Sequence, residues 1–307
     1  MIVTLTLNPA FDIHCKTKEF RLGHESFFHI LSADAGGKGI NISRALNSFG
    51  VKNRAIVVVG TENGNTYCKK LQETSVNYQA VPVEGRIREN YILHDDSEVE
   101  TRVSFNGFSV DETLFGRVVE AIGKVDADTI VTVTGSNPHG VDVAMVKEFV
   151  KELKQKGAKI VIDSRSFSLA DIIEVKPYLI KPNKDEIAGY IGRELKNLDE
   201  IAPVAEEIRQ KGVENVIISA GGEGAVFACR EGVFVAEPPE INAVSTIGAG
   251  DSTIAGFLAA IVKGEGLTDA FRNAVAAGTA ACCEAGTNPP KAELAKQIRQ
   301  KVKLQKV

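Results

Sequence analysis

The sequence predicts an α/β layered fold with a largely parallel central sheet and a small β-structured appendage. Apolar runs of strand length alternate with amphipathic helical stretches, the last third turns helical, and two segments interrupt the alternation with period-2 patterning. In order, residues 2–7 form an apolar, β-branched strand that Asn8-Pro9 stops. Residues 40–49 read as a helix, and residues 54–59 as a strand that ends at Gly60. A helix over 65–73 follows, then strand 129–134, helix 143–155, strands 159–162 and 179–181, helix 201–211 and strand 215–219. Helices over 251–263, 267–284 and 292–302 complete the chain.

Residues 13–33 and 88–108 carry alternating patterns, charges and the turn Asp95-Asp96-Ser97, and predict an antiparallel β-lid. If both segments leave and re-enter the main domain, Asp12, Gly36, Gly37 and Arg88 meet at a hinge beside the strand ends. Open α/β sheets bind ligands there. No internal repeat or low-complexity linker divides the chain, so one domain over residues 1–307 with an inserted lid is expected.

The 307 residues are 44% hydrophobic and 25% charged, and the formal net charge of −4 offers no general attraction to nucleic acid or to anionic membranes. No apolar run reaches the roughly 18 residues of a membrane helix, and no secretory leader opens the chain. A soluble, cytoplasmic protein with no nucleic-acid or membrane partner is the expectation. Cys15, Cys68, Cys229, Cys282 and Cys283 form no Cys-x-x-Cys pair and read as buried thiols. The histidines lack His-x-x-x-His spacing, which argues against zinc. The formal sequon Asn41-Ile42-Ser43 lies inside a predicted helix and carries no weight.

The stretch Ser245-Thr246-Ile247-Gly248-Ala249-Gly250-Asp251-Ser252 sets a glycine turn ahead of an apolar helix. The N–H groups of residues 248–251 would face outward at its positive end and hold an anion. Asp251 would stand beside that anion, placed to take a proton from an attacking hydroxyl. A second reading makes Asp251 the cap of the helix, and the motif alone does not choose between them. The Walker pattern is absent, since Gly36-Gly37-Lys38-Gly39 has no Ser or Thr after its Lys. The dinucleotide fingerprint is absent too, since position 253 is Thr.

Taken as a set, Asn8-Pro9-Ala10-Phe11-Asp12, Gly36-Gly37-Lys38-Gly39-Ile40-Asn41, Asn183-Lys184-Asp185-Glu186 and Gly248-Ala249-Gly250-Asp251 resemble the ribokinase-like carbohydrate kinases, or PfkB family, over nearly the whole chain. The opening Leu7-Asn8-Pro9-Ala10-Phe11-Asp12 is similar to the branch of bacterial 1-phosphofructokinases and tagatose-6-phosphate kinases. The resemblance implies a three-layer α/β/α sandwich with a small β-sheet lid. It also implies a role for each matching position. Asp251 would be the general base, with the amides of Gly248, Ala249 and Gly250 on the transferring phosphoryl group. Asp12 would bind sugar hydroxyls, and Gly36, Gly37 and Gly39, beside Lys38 and Asn41, would let the backbone approach the sugar. Arg88 would grip the sugar's phosphate, although Ile87 stands where Thr is common in that branch. Arg44 and Arg102 read as solvated surface charges.

Ser136 would lie in the substrate-side turn. Lys181 and Asn183 would serve the nucleotide, and Glu186 would act on Mg²⁺ through water. Ser219, Gly221, Gly222 and Gly224 would wall the ATP site, with Asn273 and Asn288 as polar contacts to adenine. The function implied is ATP- and Mg²⁺-dependent phosphorylation of a ketohexose phosphate. Fructose 1-phosphate, phosphorylated at its C6 hydroxyl, is preferred on Gly85-Arg86-Ile87-Arg88, Val99-Glu100-Thr101 and Phe105-Asn106-Gly107-Phe108; tagatose 6-phosphate is the alternative. An intact Asp251 and glycine turn argue against a non-catalytic sugar-phosphate or nucleotide-binding regulator, and the missing fingerprint argues against a nicotinamide oxidoreductase. A homodimer through the lid is a further expectation, because exposed sheet invites pairing.

Overall fold

The computed structural model describes residues 1–96 and 100–307, so Ser97 and Val99 of the readings above lie outside the described residues. The first half of the chain holds β1 (Ile2–Thr6), β2 (Ala10–Lys16), β3 (His29–Gly36), α1 (Lys38–Ser48), β4 (Asn53–Gly60), α2 (Gly64–Glu73), β5 (Tyr78–Val83), β6 (Arg88–His94), β7 (Glu100–Ser104) and α3 (Thr113–Ile122). The second holds β8 (Ile130–Thr134), α4 (Val143–Gln155), β9 (Lys159–Asp163), α5 (Leu169–Val175), β10 (Leu179–Ile180), α6 (Lys184–Ile191), α7 (Leu198–Gln210), β11 (Asn215–Ser219), β12 (Ala225–Cys229), β13 (Gly232–Glu237), α8 (Ala249–Val262), α9 (Leu267–Ala281), α10 (Ala292–Arg299) and β14 (Lys303–Lys306).

The large sheet has the order β14-β13-β12-β11-β10-β9-β8-β1-β4-β5. From β11 to β5 the strands are parallel, because each is reached through a helical crossover. The step from β11 to β12 is instead a tight turn over Gly221–Glu223 and β12 runs directly into β13, so these two strands add on antiparallel; β14, which arrives after α8, α9 and α10, also pairs antiparallel with β13. Gly224 closes that turn at φ 117°, where a Cβ would lie 2.1 Å from the Ala236 carbonyl oxygen. One apolar cluster joins the sheet to α2, α3, α4 and α7, and a second joins the opposite face to α1, α8, α9 and α10. These are the three layers expected.

The small sheet has the order β3-β2-β6-β7. Its central pair, β2 and β6, is parallel, which corrects the all-antiparallel expectation. The cause is topological: the chain enters the small sheet after β1 the first time and after β5 the second, and both belong to the parallel run of the large sheet. Both excursions therefore depart in the same sense. The first strand begins at Ala10, not residue 13, and Ala10 pairs with both Gly36 and Arg88. The residues expected at the hinge thus meet at one end of this sheet.

Besides helices α3 and α5, four strands are absent from the sequence reading. Strand β5 contains Pro82 and sits at the sheet edge, paired only with β4. The hairpin β12–β13 is read only once the glycine turn is placed. The last helix stops at Arg299, short of residue 302, and the polar tail Lys303–Lys306 becomes an edge strand on β13. Among the described residues, no helix is long and apolar enough to cross a membrane.

Candidate active site

Helix α1 is the spine of the site. Lys38, Asn41 and Arg44 follow one another at three-residue spacing along one side of it. The Lys38 ammonium donates to Asp163 Oδ2 at 2.9 Å, and Asn41 Nδ2 donates to Asp251 Oδ2 at 2.9 Å. Arg44 donates to the Thr287 carbonyl and to Asn288 Oδ1, each at 3.3 Å. One helix thereby ties the end of β9, the start of α8 and the segment after α9 to a common frame.

At the start of α8 the cap position is held by Gly248, in the left-handed region at φ 79°, with no side-chain cap. Asp251 stands in the first turn and does not cap it. The Ala249 N–H bends back to the Thr246 carbonyl at 3.4 Å, and the Ser252 N–H bonds the Gly248 carbonyl at 2.9 Å. The N–H groups of Gly248, Gly250 and Asp251 find no acceptor among the described residues. They form the free positive end that an anion would use. The buried ammonium of Lys181 reinforces it: a Cβ on Gly250 would lie 3.0 Å from its Nζ.

Asp251 is only 6% exposed. Burial pushes its carboxyl up to about 6 against the pull of Lys38; Asp163 adds to the push, and the Asn41 hydrogen bond and Lys181 oppose it. Burial also works against charge on Lys38, but Asp163, Asp251 and Glu186 outweigh it and hold its ammonium above the ordinary value. Asp163, 3.9 Å from the Lys181 ammonium, is the acidic centre that the sequence reading passed over. It had a signal: it ends the parallel strand β9.

Across the cleft, Asn90 Nδ2 donates to Asp12 Oδ1 at 2.8 Å. Burial raises the Asp12 carboxyl; the Asn90 hydrogen bond, Arg88 and His14 oppose this, and Asp34 adds to it. Burial lowers the Arg88 guanidinium, with Asp12 and Tyr67 acting the other way. Arg88 Nε, Asn90 Oδ1 and Asn41 Oδ1 are buried polar atoms with no partner among the described residues, and so have hydrogen-bonding capacity to spare for a ligand. A Cβ on Gly36 would fall 2.1 Å from Asp12 Oδ2, while one on Gly37 or Gly39 would strike the Thr6 side chain at 2.6 or 2.5 Å. The room these glycines leave is thus used by Asp12 and β1, a packing requirement beyond the expected approach to a sugar.

Asn8 Nδ2 bonds Ser136 Oγ and the Asn137 carbonyl, both at 3.1 Å, so Ser136 lies beside the end of β1. Asn183 and Glu186 form a reciprocal capping box on α6, with Glu186 Oε1 also accepting from Arg165 at 2.9 Å. The Ser219 N–H reaches the Pro182 carbonyl at 3.1 Å and brings the exposed Gly221-Gly222 turn next to that cap. The Asn273 amide donates to the Gly256 carbonyl at 2.6 Å and binds α9 to α8. Asn288 contacts Arg44. Arg44 itself is half-buried and its guanidinium is lowered by burial, with Asp34 opposing, so the reading of a solvated charge is corrected. Arg102 is exposed and paired with Glu100 at 2.6 Å, as expected. Of the five free cysteines, Cys15 and Cys229 are buried and the other three only half-buried.

Comparison with known proteins places this geometry among its relatives. The description "pfkB family carbohydrate kinase" matches residues 21–294. A 1-phosphofructokinase of Bacillus subtilis is 32% identical over 306 residues, covering 99% of each chain. A 1-phosphofructokinase of Haemophilus influenzae is 30% identical over 305 residues, covering 99% of this chain and 97% of that one. Phosphofructokinase-2 from Escherichia coli, solved in complex with substrates and products, superposes with a TM-score of 0.90 at 26% identity over 98% of each chain.

Proposed function

Because this chain belongs to the pfkB family of carbohydrate kinases, we propose that it phosphorylates fructose 1-phosphate at the C6 hydroxyl, with ATP as donor and Asp251 as general base. The observation that carries this reading is a buried carboxylate with a pKa near 6, beside free N–H groups at a helix start and flanked by Lys38 and Lys181. Asp251 takes the proton of the hydroxyl as its oxygen attacks the γ-phosphorus, the bond to the β-phosphate oxygen breaks, and ADP departs. The amides of Gly248 and Gly250 and the two ammonium groups stabilise the charge on the transferring group. At pH 7 to 8 Asp251 is mostly ionised yet more basic than an ordinary aspartate. Asp12 and Asn90 hold sugar hydroxyls, and Arg88 holds the phosphate already on the sugar.

Mg²⁺ fits the donors only indirectly. The Asp163 carboxylate is engaged by Lys38 and Glu186 by its cap and Arg165; among the described residues no group of three His, Cys, Asp or Glu side chains could hold a metal. Such a site suits an ion that keeps its waters and binds mainly to phosphate oxygens. When bound, Mg²⁺ supplies neutralisation of phosphate charge; Glu186 and Asp163 are the residues near enough in role to orient its waters. The small sheet serves as lid over residues of the cleft. Its exposed Phe27 (78%), Ile30 (67%), Leu31 (61%) and Phe105 (56%), beside a groove of about 670 Å³, support a homodimer through that face.

The test is ADP release with purified protein, ATP and Mg²⁺ on fructose 1-phosphate, tagatose 6-phosphate, fructose 6-phosphate and fructose in parallel. A kcat/KM at least about tenfold higher for fructose 1-phosphate is expected, a transition-state preference of roughly 1.4 kcal/mol. A preference for tagatose 6-phosphate would change the substrate and keep the mechanism. No turnover of any of the four would refute the reading.

A further inference from the structure

Helix α2 touches both segments on which the small sheet hinges. At its start, Asn63 Oδ1 accepts from the Ile87 N–H at 2.8 Å and Asn63 Nδ2 donates to the Ile87 carbonyl at 3.1 Å, one residue before Arg88. One helical turn later, the Tyr67 hydroxyl donates to the Gly36 carbonyl at 2.7 Å. Tyr67 is fully buried, and its ring meets Phe11, the neighbour of Asp12, edge-on at 5.4 Å and 85°. Burial, and next the Asp12 charge, hold the phenol well above the ordinary tyrosine value, so it stays a donor. A fully buried hydroxyl committed to the one carbonyl that ends β3 is a costly way to fill a core that Phe would fill without a polar atom.

What that bond controls is a peptide plane. In a planar trans peptide the C=O and the following N–H point in opposite directions. Pulling the Gly36 carbonyl toward α2 turns the Gly37 N–H away from it, and that N–H finds no acceptor among the described residues. Gly37 sits at φ 143°, a conformation open to glycine alone, so without the phenol nothing in its side chain would keep this plane from rotating.

We infer that Tyr67 is a positioning residue that orients the Gly36–Gly37 peptide so that the Gly37 N–H donates to a hydroxyl of the ketohexose phosphate held by Asp12. The inference rests on the reading of Asp12 and the glycine turn as the sugar site. Tyr67 touches no substrate. It acts through the one peptide whose carbonyl it holds, and it does so on the sugar side of the reaction only.

The test uses the full chain with saturating ATP and Mg²⁺ and the preferred sugar phosphate of the panel above, comparing the parent enzyme, Tyr67→Phe and Asp12→Asn, each checked for a cooperative melt above the assay temperature. Tyr67→Phe is expected to raise the sugar KM roughly tenfold, about what one hydrogen bond supplies, with kcat and the ATP KM within about twofold. With a series of monodeoxy sugar phosphates, the Tyr67→Phe penalty should vanish for the one lacking the hydroxyl that the Gly37 N–H reaches. A purely structural role would leave the same penalty on every analogue, or depress kcat and both KM values together, and either result overturns the inference. If Asp12→Asn raises the sugar KM but Tyr67→Phe does not, the inference alone fails. If Asp12→Asn leaves the sugar KM unchanged, the site reading fails and the inference with it.

Discussion

Asp251→Asn should make the protein more stable while nearly abolishing turnover. The side chain is 6% exposed and its carboxyl titrates near 6, against 3.8 for an ordinary aspartate. The interval is about two pH units, each worth ~1.4 kcal/mol, so ionising this group in the folded state costs on the order of 3 kcal/mol relative to ionising it in the unfolded chain. The sign follows from the raised value. The native state binds the proton more tightly, so stability falls as pH rises from about 4 through about 6 and stays reduced above that. Asn has the same shape and no charge to bury. The variant should therefore match the parent near pH 4 and gain up to roughly 3 kcal/mol at pH 8, a rise in Tm of a few degrees for a chain of this size. Loss of the base should lower kcat by about 10²- to 10⁴-fold. Thermal melts across pH 4 to 8, alongside ADP release, read both effects. A variant that melts below the parent at pH 8 would refute the argument that burial dominates here, and a kcat within tenfold of the parent would remove Asp251 as the base.

Lys38→Met removes the strongest pull that opposes burial at Asp251, so its pKa should climb above 6. The ratio of activity at pH 6.5 to that at pH 8.5 should then fall below the parent's, and an unchanged ratio would show that Lys38 does not set the base. Gly36→Ala puts a Cβ 2.1 Å from Asp12 Oδ2, and should raise the sugar KM at least about tenfold and cost ~1–3 kcal/mol of stability. Adding Asp12→Ala should restore the melting temperature and leave the KM high, since the collision would be gone and the ligand with it. Asn273→Ala removes the bond from α9 to the Gly256 carbonyl, which keeps its intrahelical partner within α8, so a loss of ~0.5–1.5 kcal/mol with an unchanged ATP KM is expected. A large rise in the ATP KM at unchanged stability would return Asn273 to the adenine site.

Sequence by itself determined those elements whose cause is local. The apolar run at residues 2–7 became β1, Asn183 and Glu186 cap α6 as their spacing suggests, and the glycine turn at 248–250 starts α8, because capping, turn chemistry and burial period act within a few residues. The order of glycine, lysine and aspartate motifs likewise identified the family before any coordinate was known. Tertiary structure decided what depends on residues far apart in the chain. The parallel pairing of β2 with β6 follows from the shared direction of β1 and β5, and β5 and β14 are strands because an existing sheet edge accepts a Pro-containing or polar segment. In one dimension Asp163 passes unread, Arg44 looks like a surface charge and Asn273 like a contact to adenine. Their partners lie 125, 243 and 17 positions away, and only the packing of α1, α8 and α9 against one sheet set the charge, burial and hydrogen bonds that gave each its place.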